Sequence, residues 1–301
     1  MEPMPLGHRV AHRLARAGWR GSYWYWRLAR VLQSEPAPGV VVTPDGRPLV
    51  HDSADWICLT AYEGTYEREV LDLIQGLLGP GDVVVDVGAN VGVISVHSAR
   101  IVGPSGRVIA VEPSPRCLDD LRTVVAGFEQ VTVVVAALGP ETGSAELTSR
   151  RGAAWHRGGG TLVSGHHLNR SDNWWAGEKD GEKVVVDQRR LDEVIDEYLP
   201  DGTEIALLKV DVEGYEPEVL AGAPELLDSG RVRSAIFEVT PSLSVNWVSD
   251  LLERLDGTYE AFAIQETGRV RRRLQLLPVD SLSITERSKQ WNLLLDRSRQ
   301  S

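Results

Sequence analysis

The chain has 301 residues, 42% of them hydrophobic, and a formal net charge of −11 at pH 7. That length and composition support one large α/β domain with a smaller appendage, and the acidic balance argues against general nucleic-acid binding. No run of 18 uncharged apolar residues occurs, the N-terminus lacks a signal-peptide core, and Cys58 and Cys117 have no CxxC spacing, so a membrane span, zinc and disulfides are not expected and a cytoplasmic location is.

Residues 8–33, "HRVAHRLARAGWRGSYWYWRLARVLQ", predict a helix with a break near Gly21. Arg9, Arg13, Arg16, Arg20, Arg27 and Arg30 lie among Leu14, Trp19, Trp24, Trp26 and Leu28. This reads as a surface helix packed on the body with arginines toward water. A homodimer contact, a lid over a substrate site and membrane-surface binding are the sharper alternatives. The "PDG" turn at 44–46 marks a hairpin, and residues 38–60 are expected to form short strands. A helix follows over 65–78, with Val70, Leu71, Ile74 and Leu77 at helical spacing.

From residue 82 the alternation is regular. Strands are expected at 83–87, 107–111, 131–136, 204–210, 234–239, 259–264 and 291–295, and helices at 91–102, 115–126, 215–227 and 244–255. Runs such as "VVVDV" and "IALLKVDV" are apolar throughout, as strands buried on both faces must be, so a parallel, doubly wound sheet is predicted. Residues 140–190 break the rhythm. "SAELTS" and "EKVVVDQ" are candidate added strands around a long irregular loop holding Trp155, His156, His166, His167, Trp174 and Trp175. A loop of that length is usually functional or disordered. A histidine there could act as a general base, and the tryptophans could stack on a ring or pack the loop. The expected division is an N-terminal unit, 1–60, and a main domain, 61–301, carrying the insertion at about 140–190.

The stretch "VVVDVGANVGVISVHSAR", 83–100, ends an apolar strand in a glycine turn that opens a helix. This is the usual ligand crevice of an open α/β sheet. It lacks the GxxxxGK[ST] phosphate loop, and from Gly88 the later glycines of GxGxxG are replaced by Asn90 and Val93. Asn90 still tolerates a left-handed conformation. Glu112, at the end of "VIAVEP", can accept both hydroxyls of a ribose. NAD and S-adenosylmethionine share that ribose, but only the latter is free of phosphate and carries a cation, which Asp86, Glu63 and Glu67 would suit. The plainer reading is that Gly88 and Gly92 only permit tight strand–helix packing.

"DVGANVG", "VEPSP" and "LLKVDVEGYEPEVLAGA", with the entry segment "YEGTYEREVLDLI", resemble the FkbM family of methyltransferases over roughly residues 62–240. The resemblance implies a class I methyltransferase fold, Rossmann-like, with a seven-stranded sheet whose last strand is antiparallel. It implies S-adenosyl-L-methionine as cofactor, S-adenosyl-L-homocysteine as product, and methyl transfer usually to oxygen on sugars, antibiotics or other natural products. By it, Glu67, Asp86, Gly88, Ala89, Asn90 and Gly92 would lie about the methionine part and Glu112 at the ribose. Pro113 and Ser114 would lie near the adenine, with Ala136 and Ala137 beneath it.

Lys209, Asp211 and Glu213 alternate at the end of a strand and so share one side. Asp211, also expected beside the cofactor, is the first candidate to contact the acceptor, with Glu213 and Glu238 next; Lys209 is a further catalytic candidate, its plainer reading being an ion pair with one of the acids. His97 is expected to be structural. A divalent cation on Asp211, Glu238 and a histidine would suit a diol acceptor, but no ligand spacing demands one and none is expected. The expected partner is a small-molecule hydroxyl. N-methylation of an aminosugar, an NAD-dependent oxidoreductase and a non-catalytic cofactor-binding subunit are the alternatives.

Overall fold

The computed structural model describes residues 2–19, 21–32, 37–149, 160–162, 182–240, 246–268, 272–279 and 290–297. Strand β1 (Glu2–Pro3) leads into helices α1 (Leu6–Arg16) and α2 (Ser22–Leu32), broken near the glycine as expected. Strands β2 (Gly39–Val42) and β3 (Pro48–His51) form the hairpin, in a sheet of order β1-β2-β3. His8, Ala11 and His12 of α1 and Trp26 and Ala29 of α2 are buried with Met4, Val41, Leu49 and Tyr62. Arg13 and Arg27 are exposed, and Trp24, Leu28 and Val31 remain at the surface.

The expectation of strands throughout 38–60 is corrected at its end. "WICLTAYE" forms helix α3 (Trp56–Glu63). Its residue types favour a strand, but its ends decide the matter. Asp55 accepts a hydrogen bond from the Cys58 N–H at the N-terminus, and Gly64 closes the C-terminus with φ 77°.

Helix α4 (Arg68–Leu77) is followed by β4 (Val83–Val87), α5 (Val93–Val102), β5 (Arg107–Val111), α6 (Pro115–Val125) and β6 (Val131–Val134). The next segment forms β7 (Ala137–Leu138), β8 (Gly143–Ser149), β9 (Gly160–Thr161) and β10 (Glu182–Arg189), a separate sheet of order β7-β10-β8-β9. The remaining elements are α7 (Leu191–Tyr198), β11 (Ile205–Val210), α8 (Glu216–Ala221), β12 (Val232–Val239), α9 (Asn246–Arg254), β13 (Glu260–Thr267), β14 (Arg273–Pro278) and β15 (Trp291–Asp296). Helix α8 is shorter than the expected 215–227, and α7 and β14 were not anticipated. The aromatic and histidine residues singled out at 155–175 lie outside the described residues.

The main sheet runs β14-β13-β15-β12-β11-β4-β5-β6. Pairing is parallel from β6 to β12, and the chain's last strand, β15, inserts antiparallel between β12 and β13. Among the described residues the sheet has eight strands, one more than the seven expected. The eighth, β14, is a partly exposed edge strand paired antiparallel with β13. Residues such as Val85, Ile109, Leu208 and Phe237 pack under one face, and Val84, Val108, Leu207 and Ile236 under the other. The chain winds outward from β4 through β5 to β6 on one side and from β11 to β12 on the other. The order thus reverses between β4 and β11, and their carboxyl ends open the crevice described next. Among the described residues, no helix is long and apolar enough to cross a membrane.

Candidate functional site

A cavity of about 190 Å³ opens at those carboxyl ends. One flank is made by Val87, Gly88, Asn90, Val111, Glu112, Pro113 and Ser114, from the ends of β4 and β5. Asp211, Val212 and Glu213 after β11, and Glu238 in β12, form the other. Tyr66, Glu67 and Trp56 come from the N-terminal side, and Ala136, Ala137, Leu138, Leu147 and Leu162 from β7 to β9 and their flanks.

The glycine turn is built by backbone hydrogen bonds. The N–H groups of Gly88 and Ala89 both donate to the Val111 carbonyl at 3.0 Å. Gly88 has φ 80°, and a Cβ there would stand 1.9 Å from the Asp211 carbonyl oxygen. Asn90 adopts φ 53°, the left-handed conformation anticipated for it. Its Oδ1 is buried without a hydrogen-bond partner among the described residues. Glu112 clamps the turn: Oε2 accepts from the Asn90 N–H and Oε1 from the Ser114 N–H, both at 2.8 Å. Burial pushes the Glu112 carboxyl up to about 7, against the opposing effect of those two hydrogen bonds.

Four residues expected at the cofactor or reaction centre do not line this cavity. Asp86 is fully buried behind the turn, where its Oδ2 accepts from Ser95 Oγ at 2.5 Å. Ala89 packs into the core below the turn with Val91 and Val96. Gly92 starts α5 at φ 86° and faces Val124 and Leu121 of α6, so its missing side chain serves packing. Lys209 is 2% exposed and lies beneath the floor. Its Nζ donates to Asp211 Oδ2 at 2.6 Å and stands 3.6 Å from Glu67 Oε2. Burial lowers the Lys209 pKa, but Asp211, Glu67 and Asp86 more than offset that and hold the ammonium charged.

The acids about this lysine are crowded. Burial is the main cause that raises Glu67 to about 7 and Glu213 to about 8. It also carries Glu238 well above the usual carboxylate range, with Asp211 and Glu213 adding repulsion. Glu213 itself stands at φ 54°. The turn holding it is braced by Glu216, whose Oε1 accepts from the Val212 N–H at 3.0 Å and the Gly214 N–H at 3.2 Å. His97 lies away from the cavity, with Nε2 2.9 Å from the Leu71 carbonyl and Nδ1 3.3 Å from Arg47. Among the described residues, no group of three acids, histidines or cysteines is arranged to hold a metal ion. Trp56, Tyr66 and Gln290 also reach the cavity without having been anticipated. Tyr66 directly precedes Glu67 in the recognised entry segment, which was the available signal; Trp56 lay in a stretch read as strand.

The model of the "Methyltransferase FkbM domain" matches residues 86–275, more than half of the chain. The chain belongs to the FkbM methyltransferase family. Two relatives of the family member bear on it. The methyltransferase sdnD of Sordaria araneosa is 34% identical over 160 residues, which is 47% of this chain and 60% of that protein. The 31-O-demethyl-FK506 methyltransferase FkbM of Streptomyces tacrolimicus is 33% identical over 184 residues, 54% of this chain and 66% of that protein. The chain thus spans less than two thirds of the length of either. A Thermotoga maritima SAM-dependent O-methyltransferase of known structure aligns over 91% of this chain and 83% of its own, with 14% identity and a TM-score of 0.39.

The residues fit the family's cofactor. The Gly88 cradle has no room for a side chain, Glu112 offers a fixed carboxylate, and the buried Asn90 Oδ1 has acceptor capacity to spare. No phosphate-binding glycine loop is present.

Proposed function

We propose that this chain is an S-adenosylmethionine-dependent methyltransferase acting on a hydroxyl of a small natural product or sugar. The observation that carries the reading is one cavity lined at one end by Gly88, Asn90 and Glu112 and at the other by Asp211, Glu213 and Glu238. The cofactor, when bound, supplies an activated methyl group on a sulfonium, so the protein's task is alignment and proton removal. Glu112, fixed by two backbone N–H groups, would accept the ribose hydroxyls through its remaining lone pairs. Asn90 Oδ1 would take a donor from the methionine end. Pro113, Ser114, Ala136 and Ala137 would flank the adenine.

Asp211, held by Lys209, would orient the acceptor hydroxyl. Glu213, raised to about 8, would receive its proton, since a base works best with a pKa near the operating pH. Leu147, Leu162 and Trp56 line the cavity, which supports a role for the inserted sheet and the N-terminal unit in choosing the acceptor. The relative named as a 31-O-demethyl-FK506 methyltransferase supports methyl transfer to oxygen of a small molecule.

Titration calorimetry with S-adenosylhomocysteine, with NAD in parallel, tests the reading. Micromolar binding of the homocysteine compound alone supports it. Binding of NAD alone, or of neither, overturns the assignment of the crevice.

A further inference from the structure

The cavity is lined by five carboxylates, Glu67, Glu112, Asp211, Glu213 and Glu238, and among the described residues by no lysine, arginine or histidine. Glu112, Asp211 and Glu67 have partners within the fold. Glu112 is committed to the glycine turn, and Asp211 takes the short bond from Lys209. Glu67 shares that ammonium at 3.6 Å. One buried lysine is thus divided between two acids.

Glu238 is served differently. Its Oε2 is buried and has no hydrogen-bond partner among the described residues. Apart from burial, the main influences on it are the carboxylates of Asp211, Glu213, Glu216 and Glu67, all of one sign. An isolated ionised carboxylate in such a place is costly unless a cation meets it. Among the described residues no metal-holding arrangement is found, and an organic ammonium would both donate to that oxygen and favour the ionised form of the acid. Trp56 and Tyr66 line the same cavity, and aromatic rings attract an ammonium.

We propose that the acceptor carries a protonated amine, held at Glu238 beside the hydroxyl that receives the methyl group. The inference rests on the methyltransferase reading and narrows its substrate class. A phosphorylated or carboxylated acceptor, or a nucleic-acid backbone, would add negative charge to a wall that has no lysine, arginine or histidine among the described residues. A neutral acceptor could donate to the Glu238 oxygen but would bring no charge to favour its ionised form. An ammonium offsets that acid's charge and donates to its buried oxygen, and the same contact would orient the neighbouring hydroxyl.

The test uses the full chain saturated with S-adenosylhomocysteine, whose own affinity is measured first. A matched set of ring compounds is then titrated, each scaffold present as the amine, the alcohol and the phosphate ester: glucosamine, glucose and glucose 6-phosphate, with cyclohexane and pyranose analogues of the same three kinds. Binding is read by ligand-observed NMR. The amines should bind at least about tenfold more tightly than their alcohol and phosphate counterparts, the least expected of a hydrogen bond to a charged group. Glu238→Gln should erase that preference with S-adenosylhomocysteine affinity within about twofold of the parent chain. Glu213→Gln, a second variant with its own thermal melt, should reduce it. Equal or better binding of alcohols or phosphates, absence of amine binding, or an amine preference untouched in both variants overturns the inference. Failure of S-adenosylhomocysteine to bind would instead overturn the parent reading.

Discussion

The ammonium of Lys209 donates to Asp211 at 2.6 Å while standing 3.6 Å from Glu67, so one fully buried cation joins the entry segment to the end of the fourth parallel strand. Removing one member of a buried ion pair is strongly destabilising because the survivor is left uncompensated. Lys209→Met leaves Asp211, Glu67 and Asp86 without their shared partner. It should lower the unfolding free energy by about 3–5 kcal/mol, read by urea denaturation. Asp211→Asn keeps an oxygen facing the lysine and leaves Glu67 in place, so it should cost less stability. It should spare S-adenosylhomocysteine affinity while turnover falls. A loss of stability as large as that of Lys209→Met would make Asp211 a structural residue.

The two turn glycines should respond differently to alanine. At Gly88 the new Cβ meets the Asp211 backbone at 1.9 Å, and backbone cannot move aside without displacing both strand ends. Gly88→Ala should abolish cofactor binding. At Gly92 the nearest atoms are Val124 Cγ2 at 2.8 Å and Leu121 Cδ1 at 2.9 Å, which are side-chain ends that can shift. Gly92→Ala should cost about 1–2 kcal/mol for its left-handed conformation and retain measurable binding. Thermal melts beside calorimetry separate the two outcomes, and full binding in Gly88→Ala would remove that turn from the site.

Glu112 has two tasks, and its replacement should show both. Glu112→Ala withdraws the acceptor of the Asn90 and Ser114 N–H groups as well as the expected ribose contact. S-adenosylhomocysteine affinity should fall by about 1–3 kcal/mol. Binding of adenine alone, which has no ribose, should fall much less. Equal losses for both ligands would mean that Glu112 acts only by shaping the turn.

Much of this was legible because a parallel sheet buried on both faces must be apolar along its whole length. "VVVDV", "VIAVE" and "IALLKVDV" announce β4, β5 and β11, and a carboxylate closing such a run is conspicuous, which is how Glu112 was found. Other features depend on contacts that no local pattern carries. Helix α3 is made of strand-favouring residues and owes its form to Asp55 and Gly64 at its ends. Strand β14 is a half-exposed edge whose "RLQLLP" has no long apolar run. Gly92 looks like part of a ligand turn until α6 is seen packed against it. The approach of Glu67 to Lys209 joins residues far apart in the chain, and only the folded sheet brings them together.

The crowded acids also set a pH dependence. Burial raises Glu67, Glu112 and Glu216 to about 7 and Glu213 to about 8, whereas in the unfolded chain such groups titrate near their ordinary value. Between those values the native state binds more protons than the unfolded state, so stability falls as pH rises. The buried His12 and His97, lowered to about 4 chiefly by burial, act in the opposite direction only below their ordinary value of 6.5 and contribute little above it. The ligand-free protein should therefore lose thermal stability steadily from pH 6.5 to 8.5. Saturation with S-adenosylmethionine, which brings a sulfonium and an ammonium to the acids, should recover more of that stability at pH 8.5 than at pH 6.5. Melting curves at both ends with and without ligand measure this, and a ligand-free chain more stable at pH 8.5 would show that these carboxyls are ionised without cost.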